Sequence, residues 1–333
     1  MLTTRKLVFG AAVLLAGLLA LNLAIAYLTR NSVPRRLMRH ARESESAVVL
    51  ALGNSLIVAG FDEAAFDADA GLSAPRGAAN LGIGATAPVE HLLLLRYALA
   101  HGMRPHLVVY GFYDFQLTAP TIFATSDLIG NNAMLYYVEP LYARGFYTLS
   151  RHDAFEFRAM YSYPMFADRG AVWAKIEMLR RALAQQGMPS ERTNRFGRVS
   201  DFSQLESANA DGFRRQCEAS MNLPLAPAVG ELVRQSNVAG ATIALVAMPM
   251  RQAHRNLFYG TRCWSEYVTR IGSLLEPSTA NFIDASSWIQ DDSLFDDAMH
   301  LSPGGADQFS RRLGNTIKAK FANWEVALTK ESR

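Results

Sequence analysis

The chain has 333 residues, 50% of them hydrophobic and 19% charged. This excludes a disordered polymer and is low in charge for a freely soluble enzyme. Its 33 basic and 30 acidic residues leave a net charge of +3, too balanced for a nucleic-acid partner, and no basic patch is interleaved with aromatics. The two cysteines, Cys217 and Cys263, lie outside any CxxC or Cys/His cluster, which argues against structural zinc.

Residues 7–28, LVFGAAVLLAGLLALNLAIAYL, carry no charge. As a helix they span the roughly 30 Å hydrocarbon core of a bilayer. Arg5 and Lys6 precede them, and Ala24-Ile25-Ala26 has the small-x-small pattern of a signal cleavage site. The run is long for a signal peptide, so 1–28 is expected to be an uncleaved anchor. Arg30, Arg35, Arg36, Arg39 and Arg42 follow it, and the positive-inside rule then points against export of the body. In an oxidising compartment Cys217 and Cys263 can pair; two buried thiols are the alternative.

Residues 29–46 read as a short polar, basic tether. Ala47–Leu52 is an unbroken apolar run, the pattern of a strand buried on both faces of a parallel sheet, and ends in Gly53-Asn54-Ser55. Asn80–Gly84 is a second strand-to-loop signal. Pro88–His101 has helical spacing with proline in the first turn. His106–Phe112 and Thr242–Met248 are further strands, Trp264–Leu275 a helix, Asn281–Ala285 a fifth strand and Pro303–Phe321 a closing amphipathic helix. This alternation predicts a doubly wound, mostly parallel α/β sheet over 47–325. The interval of about 115–235 breaks the rhythm and reads as a helical, aromatic-rich insertion, with a helix over Trp173–Gln186. Its aromatics form a core of its own or, alternatively, a platform for sugar rings or a lipid surface.

Three features coincide along this pattern. Ser55 follows the first strand, and ligands in open α/β sheets bind beyond the carboxyl ends of strands. Asp297 and His300 are spaced D-x-x-H before the last helix, close enough for the carboxylate to orient the imidazole and for the imidazole to take a serine proton. Gly82 or Gly84 follows the second strand, where a backbone N–H can approach an oxyanion. Asp114, after the third strand, is a substrate contact or more simply a helix cap. Arg251, after the fourth, is a candidate for an anionic group or a solvated loop arginine. His254 is expected at the surface. No metal-ligand spacing occurs.

GNSL at 53–56, NLGIGAT at 80–86 and DDAMHLSPGGADQFSRRL at 296–313 resemble the three sequence blocks of the SGNH/GDSL hydrolase superfamily. The resemblance covers the sheet portions of the chain. It implies a flavodoxin-like three-layer fold and a Ser55–His300–Asp297 triad working through an acyl-enzyme without a cofactor. It also implies oxyanion donors from the serine backbone, from Gly84 or Gly82, and from a block-three asparagine. In this chain Tyr113 stands where that asparagine belongs, in Gly111-Phe112-Tyr113-Asp114, so Asn54 or Tyr113 is the candidate replacement. Anchor and blocks together resemble membrane-anchored proteins of exopolysaccharide O-acetylation and D-alanyl transfer. That likeness implies a body on the periplasmic or extracellular side of the cytoplasmic membrane, a membrane-bound O-acyltransferase as partner and a cell-envelope polysaccharide as acceptor. The alternatives are a generic membrane-tethered esterase or lipase and an inactive scaffold subunit.

Overall fold

A computed structural model describes residues 4–118, 163–183, 203–275 and 280–320, with positions 139, 142, 145, 146, 151, 152, 155 and 159. The elements run α1 (Thr4–Leu28), α2 (Val33–Glu43), β1 (Val49–Gly53), α3 (Ser55–Gly60), α4 (Glu63–Ala70), β2 (Ala78–Asn80), α5 (Pro88–Ala100) and β3 (Leu107–Phe112). They continue with α6 (Arg169–Leu183), α7 (Ser203–Ser220), α8 (Pro227–Val238), β4 (Thr242–Ala247), α9 (Arg262–Leu275), β5 (Ala280–Asp284) and α10 (Pro303–Lys320). A four-residue helical turn, Pro164–Ala167, precedes α6. The chain divides into two compact units, Met1–Arg39 with Ile122–Ser190, and His40–Thr121 with Glu191–Arg333.

The larger unit is built on a five-stranded sheet of order β2-β1-β3-β4-β5, every pair parallel. β1 and β3 are buried along their whole length. The strands are apolar without alternation because both faces are covered. On one face Val49, Ala51, Val109 and Val246 pack with Ile57 of α3, Phe66 of α4 and Phe309, Leu313 and Ile317 of α10. Leu50, Leu52, Val108 and Tyr110 alternate with these and are equally buried. Here α8 packs against α5 and β4, so the last part of the expected insertion belongs to the sheet's own layers. Most of the aromatic-rich stretch before α6 lies outside the described residues. A disulfide joins Cys217 in α7 to Cys263 in α9.

The direction of winding reverses between β1 and β3, which opens a crevice beyond their carboxyl ends. Gly53 ends β1 at φ +152°. A Cβ there would meet the Gly111 carbonyl oxygen and Ile57 Cγ1, each at 2.6 Å, so only glycine lets β1 turn into α3 this closely.

In the smaller unit α1 is a 25-residue helix whose 6–28 stretch is unburied and long and apolar enough to cross a membrane. Beyond it the expected tether is instead largely helical. Pro34 sits in the first turn of α2, and Leu37 and Ala41 repeat at four-residue spacing against an arginine-rich face. The Asp168 carboxylate is buried and accepts from Thr29 Oγ1 and Arg35 Nη2, both at 2.6 Å.

Candidate active site

Asn54 sets the geometry at the end of β1. Its Oδ1 accepts the Leu56 N–H at 2.9 Å and so caps α3, placing Ser55 in the first turn with its hydroxyl at the sheet edge. Across the crevice a loop between β5 and α10 is pinned by a bridge from Phe295 to Leu301 and by the Asp296 N–H on the His300 carbonyl, 2.9 Å. Within it Asp297 Oδ1 accepts the Met299 and His300 N–H groups at 3.0 and 2.8 Å. Both Asp297 and His300 are buried.

The structure brings the three side chains into one chain of hydrogen bonds. His300 Nδ1 is 2.8 Å from Asp297 Oδ2, and His300 Nε2 is 2.8 Å from Ser55 Oγ. A carboxylate only accepts, so Nδ1 carries the proton and the Nε2 lone pair faces the serine hydroxyl. This arrangement can deprotonate Ser55 as it attacks and hold the resulting imidazolium beside a negative charge.

The expected oxyanion donors fare differently. The Gly82 N–H is taken by Asn80 Oδ1 at 2.8 Å, so Gly82 is not free to donate. Its lack of a side chain serves packing instead, since a Cβ would meet Ile57 Cγ2 at 2.7 Å and the Val58 nitrogen at 2.9 Å. Gly84 lies two residues on, half-buried, before Ala85 at φ +56°. The Ser55 N–H meets no acceptor among the described residues. Tyr113 packs against the core; burial, with the Asp114 charge adding, raises its phenol pKa above the ordinary value.

Asp114 is no helix cap. It sits at φ +46°, and its Oδ1 accepts the Tyr259 hydroxyl at 2.8 Å and faces His254 Nε2 at 3.0 Å. Its own N–H donates to the Tyr259 oxygen at 2.9 Å. Burial first, then the Asp114 charge, holds the Tyr259 phenol pKa well above its ordinary value, so it remains a donor. His254, expected at the surface, is buried against Phe258 and Tyr259. Arg251 is half-buried and donates to Asp292 Oδ2 at 3.3 Å, so that carboxylate already occupies the edge offered to an anionic ligand.

One residue at the site carries no signal in the sequence blocks. Gln116 Oε1 accepts from Asn54 Nδ2 at 3.2 Å. Because Asn54 Oδ1 is committed to Leu56, its nitrogen must face Gln116, which fixes the Gln116 oxygen inward. No described residue takes the Gln116 Nε2 hydrogens. Among the described residues there is no cluster of His, Cys, Asp and Glu able to hold a metal ion.

No family model matches the chain, and no curated protein matches it. Among solved structures it is similar to a protein named as lipolytic, of the G-D-S-L family, from Desulfitobacterium hafniense DCB-2. That match has a TM-score of 0.36 at 8% identity and covers 80% of this chain and 97% of the other. It is also similar to a protein named as an acylhydrolase from Bacteroides fragilis NCTC 9343, at a TM-score of 0.37, 12% identity, and 82% and 86% coverage. Likeness at this level is silent on activity.

Proposed function

We propose that the chain is a membrane-anchored serine esterase or O-acyltransferase of the SGNH type, acting outside the cytoplasm on acyl esters of a cell-envelope glycan. The observation that carries the chemistry is the Ser55–His300–Asp297 chain, with 2.8 Å at each link. Ser55 Oγ attacks the ester carbonyl and its proton passes to His300 Nε2. The tetrahedral oxyanion collapses to an acyl-serine as His300 returns that proton to the leaving alcohol. Water or an acceptor hydroxyl then gives its proton to His300 as its oxygen attacks the acyl carbonyl, and His300 passes that proton to Ser55 Oγ as the bond to serine breaks. The Ser55 N–H, the Gly84 loop and the Gln116 carboxamide are the donors proposed for the oxyanion. Water as the second nucleophile makes an esterase; a sugar hydroxyl makes a transferase.

Placement outside the cytoplasm rests on the Cys217–Cys263 disulfide, a bond that persists in oxidising compartments. Retention of α1 is supported by its ties to the rest of the smaller unit, through Asn22 to Met165 and through Thr29 to Asp168. A membrane-bound acyl donor protein and a polysaccharide acceptor are the partners this reading calls for. A scaffold role is the second reading, favoured by the occupied N–H groups of Gly82 and Asp114.

Mass spectrometry of the detergent-solubilised full chain after a fluorophosphonate decides between them. A single adduct on Ser55, absent in Ser55→Ala and in His300→Ala, is the expected result. A folded protein that takes up no label sinks the enzyme reading and leaves the scaffold.

A further inference from the structure

We infer that α6 is an interfacial helix that lies in the membrane surface beside α1, with Trp173, Ile176, Leu179 and Leu183 set into the lipid. The inference rests on the reading of α1 as an anchor and is independent of the chemistry at Ser55.

The first argument is depth. Asn22 is a polar side chain inside an apolar span, and in lipid it needs a partner. It finds one in the Met165 N–H, 3.1 Å away, in the first turn of the Pro164–Ala167 helix, where the helix itself supplies no acceptor. Asn22 lies six residues before Leu28, about 9 Å along the helix axis. The Pro164–Ala167 turn therefore reaches below the end of the span, and the half-exposed Tyr163 and Phe166 flank it there.

The second argument is direction. Just beyond this turn Asp168 is bound to Thr29, at the end of α1. Lys175, seven residues further along, donates to the Leu28 carbonyl oxygen. Asp168, just before α6, and Lys175, two turns into it and about 10 Å on, are thus both tied to the end of α1. Both ties hold the start of α6 close to the end of α1, the arrangement expected of a helix that runs along the boundary.

The third argument is surface. Trp173, Ile176, Leu179 and Leu183 recur at three- and four-residue spacing on one side of α6, with Arg180, paired to Glu177, among them, and Trp173 is 68% and Leu183 76% exposed. Exposed leucines and a tryptophan on a helix already tied to a membrane boundary form the amphipathic pattern that lies in the headgroup region. The apolar 6–28 stretch of α1, to which this helix is tied at Leu28, is likewise unburied.

The test uses the full chain in phosphatidylcholine–phosphatidylglycerol vesicles that contain brominated acyl chains. Tryptophan fluorescence is compared between the wild type and Trp173→Phe, and carbonate extraction reports on α1. The expected result is a quenched component that disappears in Trp173→Phe. It falls at least twofold in Leu179→Glu/Leu183→Glu, while α1 resists extraction in all three. Equal quenching in wild type and Trp173→Phe, with α1 still resistant, overturns the inference and leaves the anchor standing. A cross-linked dimer through α6 without quenching assigns the stripe to a second copy and overturns it too. Extraction of α1 by carbonate overturns anchor and inference together, and Ser55 labelling is unaffected in every case.

Discussion

Gln116 is proposed as an oxyanion donor because its oxygen is held by Asn54, whose neighbour is Ser55, and its nitrogen meets no acceptor among the described residues. Gln116→Leu removes the donor and keeps the apolar stem. The expected effect is a loss of about 10²–10³ in kcat on a short synthetic ester, with KM changed only a few-fold. Fluorophosphonate labelling of Ser55 still reaches completion, only more slowly. An unchanged kcat removes Gln116 from the site and returns the question to Gly84. At this scale Ser55, Asp297 and His300 were legible because each sits at a fixed offset from a strand or helix boundary that composition reveals. Gln116 was not, since its contact with Asn54 joins two segments far apart in sequence and depends on an amide orientation that no local pattern announces. Asp114, His254 and Tyr259 were not either, because their meeting requires β3 and β4 to lie side by side, and nothing local to Asp114 announces that.

Helix α5 shows how one buried side chain holds an element in place. The Thr86 hydroxyl donates to the Ile83 carbonyl, so its oxygen accepts from His91 Nε2 at 2.9 Å. His91 Nδ1 then accepts from the Tyr110 hydroxyl at 3.1 Å, which ties the Gly84 loop through α5 to β3. Burial drives the His91 pKa from 6.5 down to about 3, so the ring stays neutral in the folded protein while the unfolded chain binds a proton. Stability from this group is complete above pH 6.5 and drains away as pH falls toward 3. Between pH 7.5 and pH 5 the loss amounts to about 2 kcal/mol. A glutamine side chain can make both hydrogen bonds without titrating, so His91→Gln should flatten that part of the stability curve. Urea unfolding at the two pH values measures it, and equal slopes for variant and wild type would show that His91 does not control the acid limb. The strands were readable as elements because a central parallel strand is apolar on both faces. The short α3 and α4 escaped notice because neither is long enough to show a helical period. Helix α2 was hidden by arginines that look like a tether until Leu37 and Ala41 are seen on one face.

For the molecule as a whole, on the proposed reading of α1 as an anchor, two physical rules disagree about which side of the membrane the larger unit occupies. Five arginines between residues 30 and 42 pull toward a cytoplasmic body, against Arg5 and Lys6 at the other end of α1. The disulfide pulls the other way, because a cytosol that keeps thiols reduced would leave Cys217 and Cys263 free. Residues of the folded smaller unit engage some of the arginines: Arg35 is bound by Asp168, and Arg30 stacks 3.8 Å over the Tyr27 ring. Insertion nonetheless precedes folding, so these contacts do not by themselves reverse the rule. The disulfide bears on the folded protein rather than on insertion, and the proposed placement outside the cytoplasm rests on it. Its loop of 46 residues stabilises the folded state by about 4 kcal/mol in the chain-entropy model. Thiol trapping in intact cells, before and after reduction, resolves the conflict. The expected outcome is no alkylation of Cys217 or Cys263 until a reductant is added, followed by two alkylations and a lower Tm for the reduced full chain. Two thiols alkylated without reductant would put the body in the cytoplasm. The Ser55 chemistry would then have to find its acyl acceptor there, and a glycan of the envelope would no longer be the substrate class to test.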